Sequence, residues 1–390
     1  MLKGKRELEK DEEILAPYAE RSSLSQKREF PEEDHPYRLP FQRDKDRIVH
    51  SQAFKRLEYK TQVFVYSVGD HYRNRLTHTL EVAGVSRTLA KALGLNDDLT
   101  EAIALAHDLG HSPFGHAGQD ALADIMRGFG GFEHNKQSLR VVQKLERKYP
   151  GFSGLNLCYA TLQGIMKHGG DYAKSSANEE RKENGPSLEA QIVDHSDEIA
   201  YSSHDIEDGL EKGLLKPESL LDVRIWKQNY LVVKEKYPNE KEEIILRTTY
   251  RAILNELISD LLTNTHANLE KHNILSPEDV RVAYRNKIPL VSFSKEMNEY
   301  RKELKSFLFE NLYRHPTVSK MSDQGKEIIH LLFQYFLKHP EKIPLSYRER
   351  EEEDGRYRII CDYVAGMTDR YAIEICKSEG IFGLPYSVLF

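Results

Sequence analysis

Residues 107–116 read His107-Asp108-Leu109-Gly110-His111-Ser112-Pro113-Phe114-Gly115-His116. Asp97 and Asp98 offer an N-cap, residues 99–109 carry the apolar spacing of a short helix, and Gly110 ends it. His107 and Asp108 then fall in its last turn. Adjacent residues diverge by ~100° around a helix, yet at a helix end both reach a common ion. Pro113 and Gly115 keep the chain irregular until a further helix begins near Gly118.

Working outward, apolar positions at Leu76, Leu80, Ala83, Leu89 and Leu93 predict a buried helix over 75–93, stopped by Gly94. Arg75 and His78 lie at its start. Residues 7–19 and 43–59 read as helices. Residues 62–68, rich in β-branched and aromatic side chains, read as a short strand or hairpin arm. Downstream come Phe132-Glu133-His134-Asn135 and a polar stretch, 170–187, read as a mobile loop. A long helix over 188–210 follows. On it Asp197, Tyr201 and Asp205 recur every four residues, opposite Ile192, Ile199, Ile206 and Leu210. Further helices fill 216–340, a short strand is expected at 357–361, and a helix at 364–377. The fold class is mainly α with a few short β-strands.

The 390-residue chain carries 56 Lys+Arg against 62 Asp+Glu, a net charge of −6, with 39% hydrophobic residues. That balance suits a soluble, globular chain and excludes disorder, collagen and a disulfide scaffold. A globally basic nucleic-acid binder is a poor fit. No apolar run approaches the ~18 residues of a membrane span. Cys158, Cys361 and Cys376 are odd in number and lack CxxC spacing, so a reducing, cytoplasmic setting and no thiolate metal site are expected. Of 16 histidines, six (His71, His78, His107, His111, His116 and His134) fall between residues 71 and 134.

A lone His-Asp dipeptide is common by chance, and a polar helix stripe is usually a solvated face. Co-occurrence carries the metal reading. His78, His107, Asp108 and Asp197 offer two imidazoles and two carboxylates, a donor set that suits Mn, Mg, Fe, Co, Ni or Zn alike. A divalent ion with open positions lowers the pKa of a bound water and offsets phosphate charge.

At these residues the sequence resembles the HD-domain phosphohydrolases, whose ordered signature is H…HD…D. RLTHTLEVAGVSRTLA (75–90), ALAHDLGHSPFGHAGQ (104–119), FEHNKQSLR (132–140), SLEAQIVDHSDEIAYSSHDIEDGL (187–210), YRHPTV (313–318) and CDYVAGMTDRYA (361–372) are similar to the deoxyguanosine triphosphate triphosphohydrolase (dGTPase) family. The resemblance implies an HD-domain helical fold: an N-terminal arm at 1–40, a phosphohydrolase core at 41–225 and a packed helical region at 226–390. It implies hydrolysis of a dNTP, dGTP favoured, to deoxynucleoside and triphosphate. His78, His107, Asp108 and Asp197 would be the metal ligands. His111, His116 and His134 would face the phosphates, with His116 as the acid toward O5′. Arg75 would contact phosphate, and Gln62, Tyr201 and Asp205 would hold the sugar. A homo-oligomer, commonly a hexamer, and a nucleotide or single-stranded DNA regulator are family traits.

Gln119 stands where the family commonly has glutamate. It can orient an imidazole by a hydrogen bond but cannot balance an imidazolium charge. Two rival readings therefore stand beside the hydrolase: a non-catalytic nucleotide or single-stranded nucleic-acid binding module, and an HD enzyme acting on monophosphates.

Overall fold

Gly94, at φ +67°, ends a 19-residue helix, Arg75–Leu93, where the apolar spacing placed it. In the computed structural model, which describes residues 2–62, 73–166 and 185–381, helices carry most of the chain. Those that matter below are α1 (Pro40–Val49), α2 (Arg75–Leu93), α3 (Asp97–Ala106), α4 (Gly115–Ile125), α5 (His134–Arg140), α6 (Leu188–Glu211), α7 (Arg224–Lys236), α8 (Glu242–Lys271), α9 (Lys295–Leu308), α10 (Pro316–Lys338), α11 (Arg356–Ala365) and α12 (Asp369–Ser378). The only β pairing among the described residues is two isolated bridges, Thr61 with Asn74 and Arg147 with Gly154. No described helix is long and apolar enough to cross a membrane.

Several boundaries differ from expectation. The strand expected at 357–361 is part of α11, where Ile359, Ile360, Cys361, Tyr363 and Val364 are all buried. A helix apolar on every side has no period-3.6 stripe, and a short run of this kind reads equally as a buried strand. The helix expected over 43–59 breaks after α1, and Ser51 caps a new turn by accepting from Phe54 N at 3.1 Å. The expected helix over 364–377 is divided between α11 and α12, with Thr368 capping α12 through Tyr371 N at 3.1 Å. The arm holds a short helix, Lys5–Asp11, and a 3₁₀ turn, Glu12–Ile14, rather than one helix to residue 19. Asp97 and Asp98 lie inside the first turn of α3, while Asn96 caps it, accepting from Leu99 N at 3.1 Å. Helix α3 stops at Ala106, so His107 and Asp108 stand in the turn beyond it. Residues 63–68 of the expected strand, His71 and residues 170–184 of the expected loop lie outside the described residues.

The chain forms two compact units. The first comprises Met1–Asp46, Leu80–Leu105 and Leu157–His315; the second comprises Arg47–Thr79, Ala106–Asn156 and Pro316–Phe390. In the first, α6 packs on α8, and α7 on α8 and α9. Trp226, fully buried on α7, meets Tyr250 of α8 with ring centroids 5.7 Å apart. In the second, α10 packs against α4, α11 and α12. Their shared core includes Leu122, Met126, Ile329, Leu332, Phe333, Phe336, Ile360 and Val364. Phe114 precedes α4 with φ +62°, a left-handed conformation uncommon for a bulky residue. Helix α10 comes so close at Gly325 that a Cβ there would stand 2.8 Å from the Phe114 Cβ. Burial of that ring in the core holds the strained backbone in place.

Phe333 sits at the centre of this core, 1% exposed. Phe333→Ala should lower the unfolding free energy by ~3–5 kcal/mol in urea denaturation, the cost of a large core cavity.

Candidate functional site

Most of the histidine cluster belongs to the second unit. Asn74 accepts from Thr77 N at 2.9 Å and so starts α2, which sets Arg75 and His78 in its first turn. From the turn after α3, Asp108 enters the same buried space. Its Oδ2 accepts from Arg75 Nη1 at 2.8 Å and lies 3.9 Å from His78 Nε2. Its Oδ1 is 3.2 Å from His107 Nε2 and 3.3 Å from His111 Nε2. His78 and His107 meet edge to face, ring centroids 5.4 Å apart, each presenting a ring nitrogen within 4.8 Å of the other's. Burial pushes the Asp108 carboxyl up, but His107, Arg75 and His111 override it and hold the group well below its usual range. Burial, then Arg75 and His134, hold His111 well below the ordinary imidazole range, so at pH 7 it is neutral.

The ring of His134 stacks on His111 with centroids 4.1 Å apart, and His116 meets His111 edge-on at 6.0 Å from an exposed position on α4. Gln119 belongs to His134: its Oε1 accepts from His134 N at 3.2 Å and lies 2.7 Å from His134 Nδ1. Glu133 Oε1 is 3.1 Å from the same Nδ1. Two acceptor oxygens beside one ring nitrogen place a hydrogen on Nδ1. The neighbouring acid, Asp120, turns away to Lys326 at 3.1 Å.

Sequence reading gave no bracing role to the residues that hold this site together. Lys60, 2% exposed, donates from Nζ to His111 O and to Ala365 O (2.9 Å). Asp369, buried at the start of α12, accepts from Thr61 N and Phe114 N, each at 3.0 Å, and from the Thr61 hydroxyl. Ser138 accepts from Gly110 N at 2.8 Å and donates to His107 O at 3.0 Å. None of these pairings follows a local spacing rule. Gln62 lies beside Thr61 in a half-buried bend, its Oε1 without a hydrogen-bond partner among the described residues. Arg75 Nε and His111 Nδ1 are likewise buried and without partners there. Orphaned buried polar atoms are costly, and three in one region mark a place built to be filled.

The rest of the sequence-assigned set lies in the first unit, on α6, which begins where Ser187 Oγ accepts from Ala190 N at 3.3 Å. Asp197 and Tyr201 are half-buried and Asp205 is buried. Tyr313 donates its hydroxyl to Asp205 Oδ2. Tyr313 opens the YRHPTV segment, and that was the one available signal for it. Arg301 pairs with Glu198 and lies over the Phe293 ring at 3.9 Å. Burial first, then Glu198, Asp205 and Asp197, push the Tyr201 phenol up, so it stays a hydroxyl donor at neutral pH.

The buried His/His/Asp donors of the second unit fit a divalent ion: nitrogen and anionic oxygen, with no thiolate among them. The turn that carries them depends on close packing. A Cβ at Gly110 would stand 2.1 Å from Ser138 N and 2.2 Å from His134 O. Gly110→Ala should therefore displace the turn and weaken divalent-metal affinity by ~10–100-fold, measured by metal titration, as loss of ligand support does elsewhere.

Residues 75–202 match the HD domain family model, and residues 291–378 match the phosphohydrolase-associated domain. Deoxyguanosinetriphosphate triphosphohydrolase-like proteins align along nearly the whole chain. The protein from Leptospira interrogans serovar copenhageni is 59% identical over 371 residues, 95% of this chain and 97% of that one. The one from Geobacter sulfurreducens is 48% identical over 376 residues, 96% of each. The one from Ralstonia pickettii is 47% identical over 368 residues, 92% and 93%. The fold, the His/Asp donor cluster and these matches agree: the chain belongs to the dGTPase-like family of HD-domain phosphohydrolases.

Proposed function

We propose that this chain hydrolyses a deoxynucleoside triphosphate to the deoxynucleoside and intact triphosphate, with dGTP the favoured substrate. One observation carries the reading. A buried carboxylate, Asp108, is shared by Arg75, His107 and His111, with orphaned donor and acceptor atoms beside it. Such a site is costly to bury without an ionic ligand. The ligand set would be His78, His107, Asp108 and Asp197 around Mn, Mg, Fe, Co, Ni or Zn. Bound there, the ion would supply Lewis-acid stabilisation of phosphate charge and activation of water.

The chain's own groups do the rest. Arg75, whose Nε is unused, offers a planar cationic fork to a phosphate oxygen. Neutral His111, with Nε2 directed at Asp108, presents Nδ1 as an acceptor and adds no like charge beside Arg75. His116, exposed at the rim, is assigned to protonate the leaving O5′, a step worth ~10²–10⁴-fold. His134 faces the phosphates with Nδ1 held by Gln119 and Glu133. On the sugar side, Gln62 Oε1, Tyr201 and Asp205 are the assigned contacts. Asp205 accepting from the 3′-OH and Tyr201 closing the space for a 2′-OH would favour deoxyribose. The family resemblance supports a homo-oligomer, commonly a hexamer, a nucleotide or single-stranded DNA regulator, and a cytoplasmic setting.

Gln119 is the feature that favours a non-catalytic binding module. Against it, Glu133 supplies a carboxylate beside His134. Gln119→Glu should accordingly change kcat by less than ~10-fold, whereas Glu133→Gln should lower it by ~10-fold or more; steady-state kinetics on both variants checks this. Because Glu133 also caps α5 by accepting from Asn135 N and Lys136 N, each at 3.0 Å, Glu133→Asp serves as the control for folding.

The direct test is an HPLC assay of all four dNTPs, singly and in pairs, with Mn²⁺ and Mg²⁺, and dGMP as comparison. Deoxynucleoside with triphosphate is the expected product pair. No turnover of any dNTP would support the binding module, and faster turnover of dGMP than dGTP would support a monophosphate hydrolase.

A further inference from the structure

A cavity of about 220 Å³ lies in the second unit, with Leu109 and Gly110 of the metal-site turn in its wall. Its charged lining is Arg56, Lys60, Arg147, Glu146 and Asp362. Three of these are matched. Arg147 meets Glu349 at 3.0 Å. Glu146 accepts from Gln52 N and Ala53 N at 3.1 and 2.8 Å. Asp362 is gripped by Arg140 through Nε at 2.8 Å and Nη2 at 2.7 Å.

Arg56 and Lys60 are different. Arg56 Nη1 donates to Gly366 O at 3.2 Å, and its charge lies near the buried Tyr347 hydroxyl. Lys60 has the two carbonyls already described. Among the described residues neither has a carboxylate within ion-pair distance. Burial, then the repulsion of Arg56 and Arg75, lowers the Lys60 amine to about 7. Two cations therefore share this polar cavity with one carboxylate, Glu146, that among the described residues is met only by backbone N–H groups. Asp369 and Asp108 act on Lys60 from beyond ion-pair distance. The positive charge left over is what a bound anion relieves. Arg with Lys is also the pairing that grips phosphate: a planar fork beside a point charge. The volume lies below the ~300–1,000 Å³ of sites that enclose drug-sized ligands, so a whole dNTP is too large.

We propose that this cavity binds a small phosphate anion, of orthophosphate or pyrophosphate size, between Arg56 and Lys60. It is a second anion site, separate from Arg75 and the histidines. Lys60 links the two, because the ammonium that meets the anion also holds the carbonyl of His111. An occupant therefore acts on the position of the catalytic turn.

Calorimetric titration of inorganic pyrophosphate into the full-length, metal-free protein tests the site without any turnover, and so stands apart from the dNTP reading. Arg56→Gln should weaken this binding at least ~10-fold, the scale of one lost charge-assisted contact. Ser346→Glu, at an exposed lining position where folding tolerates substitution, should weaken it by repulsion. Arg75→Gln should leave it in place. Pyrophosphate binding unchanged by Ser346→Glu and by a folded Arg56→Gln, or abolished by a folded Arg75→Gln, would overturn the proposal. Should Arg56→Gln fail to show the unliganded thermal midpoint of the parent, Ser346→Glu decides alone.

Discussion

The site depends on one carboxylate. Asp108 is buried with a guanidinium and two imidazoles around it. Alone, a charge in that position would be driven to protonate. Its neighbours reverse the balance, and the group stays ionised. The dependence is mutual. Arg75 is equally buried, and Asp108 is the acid it meets. Removing one partner of such a pair typically costs ~3–5 kcal/mol, because the other charge is stranded. Asp108 thus keeps Arg75 in the site, and Arg75 helps keep Asp108 ionised.

A constraint of this kind needs a rigid turn, and the second unit braces it with polar links. Ser138 ties Gly110 N to His107 O, Lys60 holds His111 O, and Asp369 holds Phe114 N. The absence of a side chain at Gly110 lets the turn lie directly against the backbone of α5. Asp369 also carries Thr61, and with it the adjoining Gln62, so one buried acid ties this segment to the turn at Phe114. The apolar core of α4, α10, α11 and α12 supplies the fixed surface for these links. Phe114 belongs to both: its ring lies in the core, and its backbone ends the turn that carries His107, Asp108 and His111.

Local pattern carried much of this. The apolar spacing from Leu76 to Leu93 and the stop at Gly94 define α2, and the order His78, His107, Asp108 named residues that do gather. Pattern failed where the deciding force was tertiary. Helix α11 has apolar residues on all sides, so no stripe distinguished it from a strand. Asn96 took the cap from Asp97 because its position, not its charge, met Leu99 N. Gln119 read as a defect in a local motif, yet its partner is His134, fifteen positions away. Lys60, Asp369 and Tyr313 act through contacts roughly 50 to 300 positions distant in the chain, which no periodicity rule reports.

The most direct measurement of the account is the divalent-metal content and dNTP turnover of Asp108→Asn, which keeps the shape of the side chain and removes its charge. The expected result is a folded protein that loses both bound metal and triphosphate release. An Asp108→Asn protein that retains its metal and its turnover would contradict it.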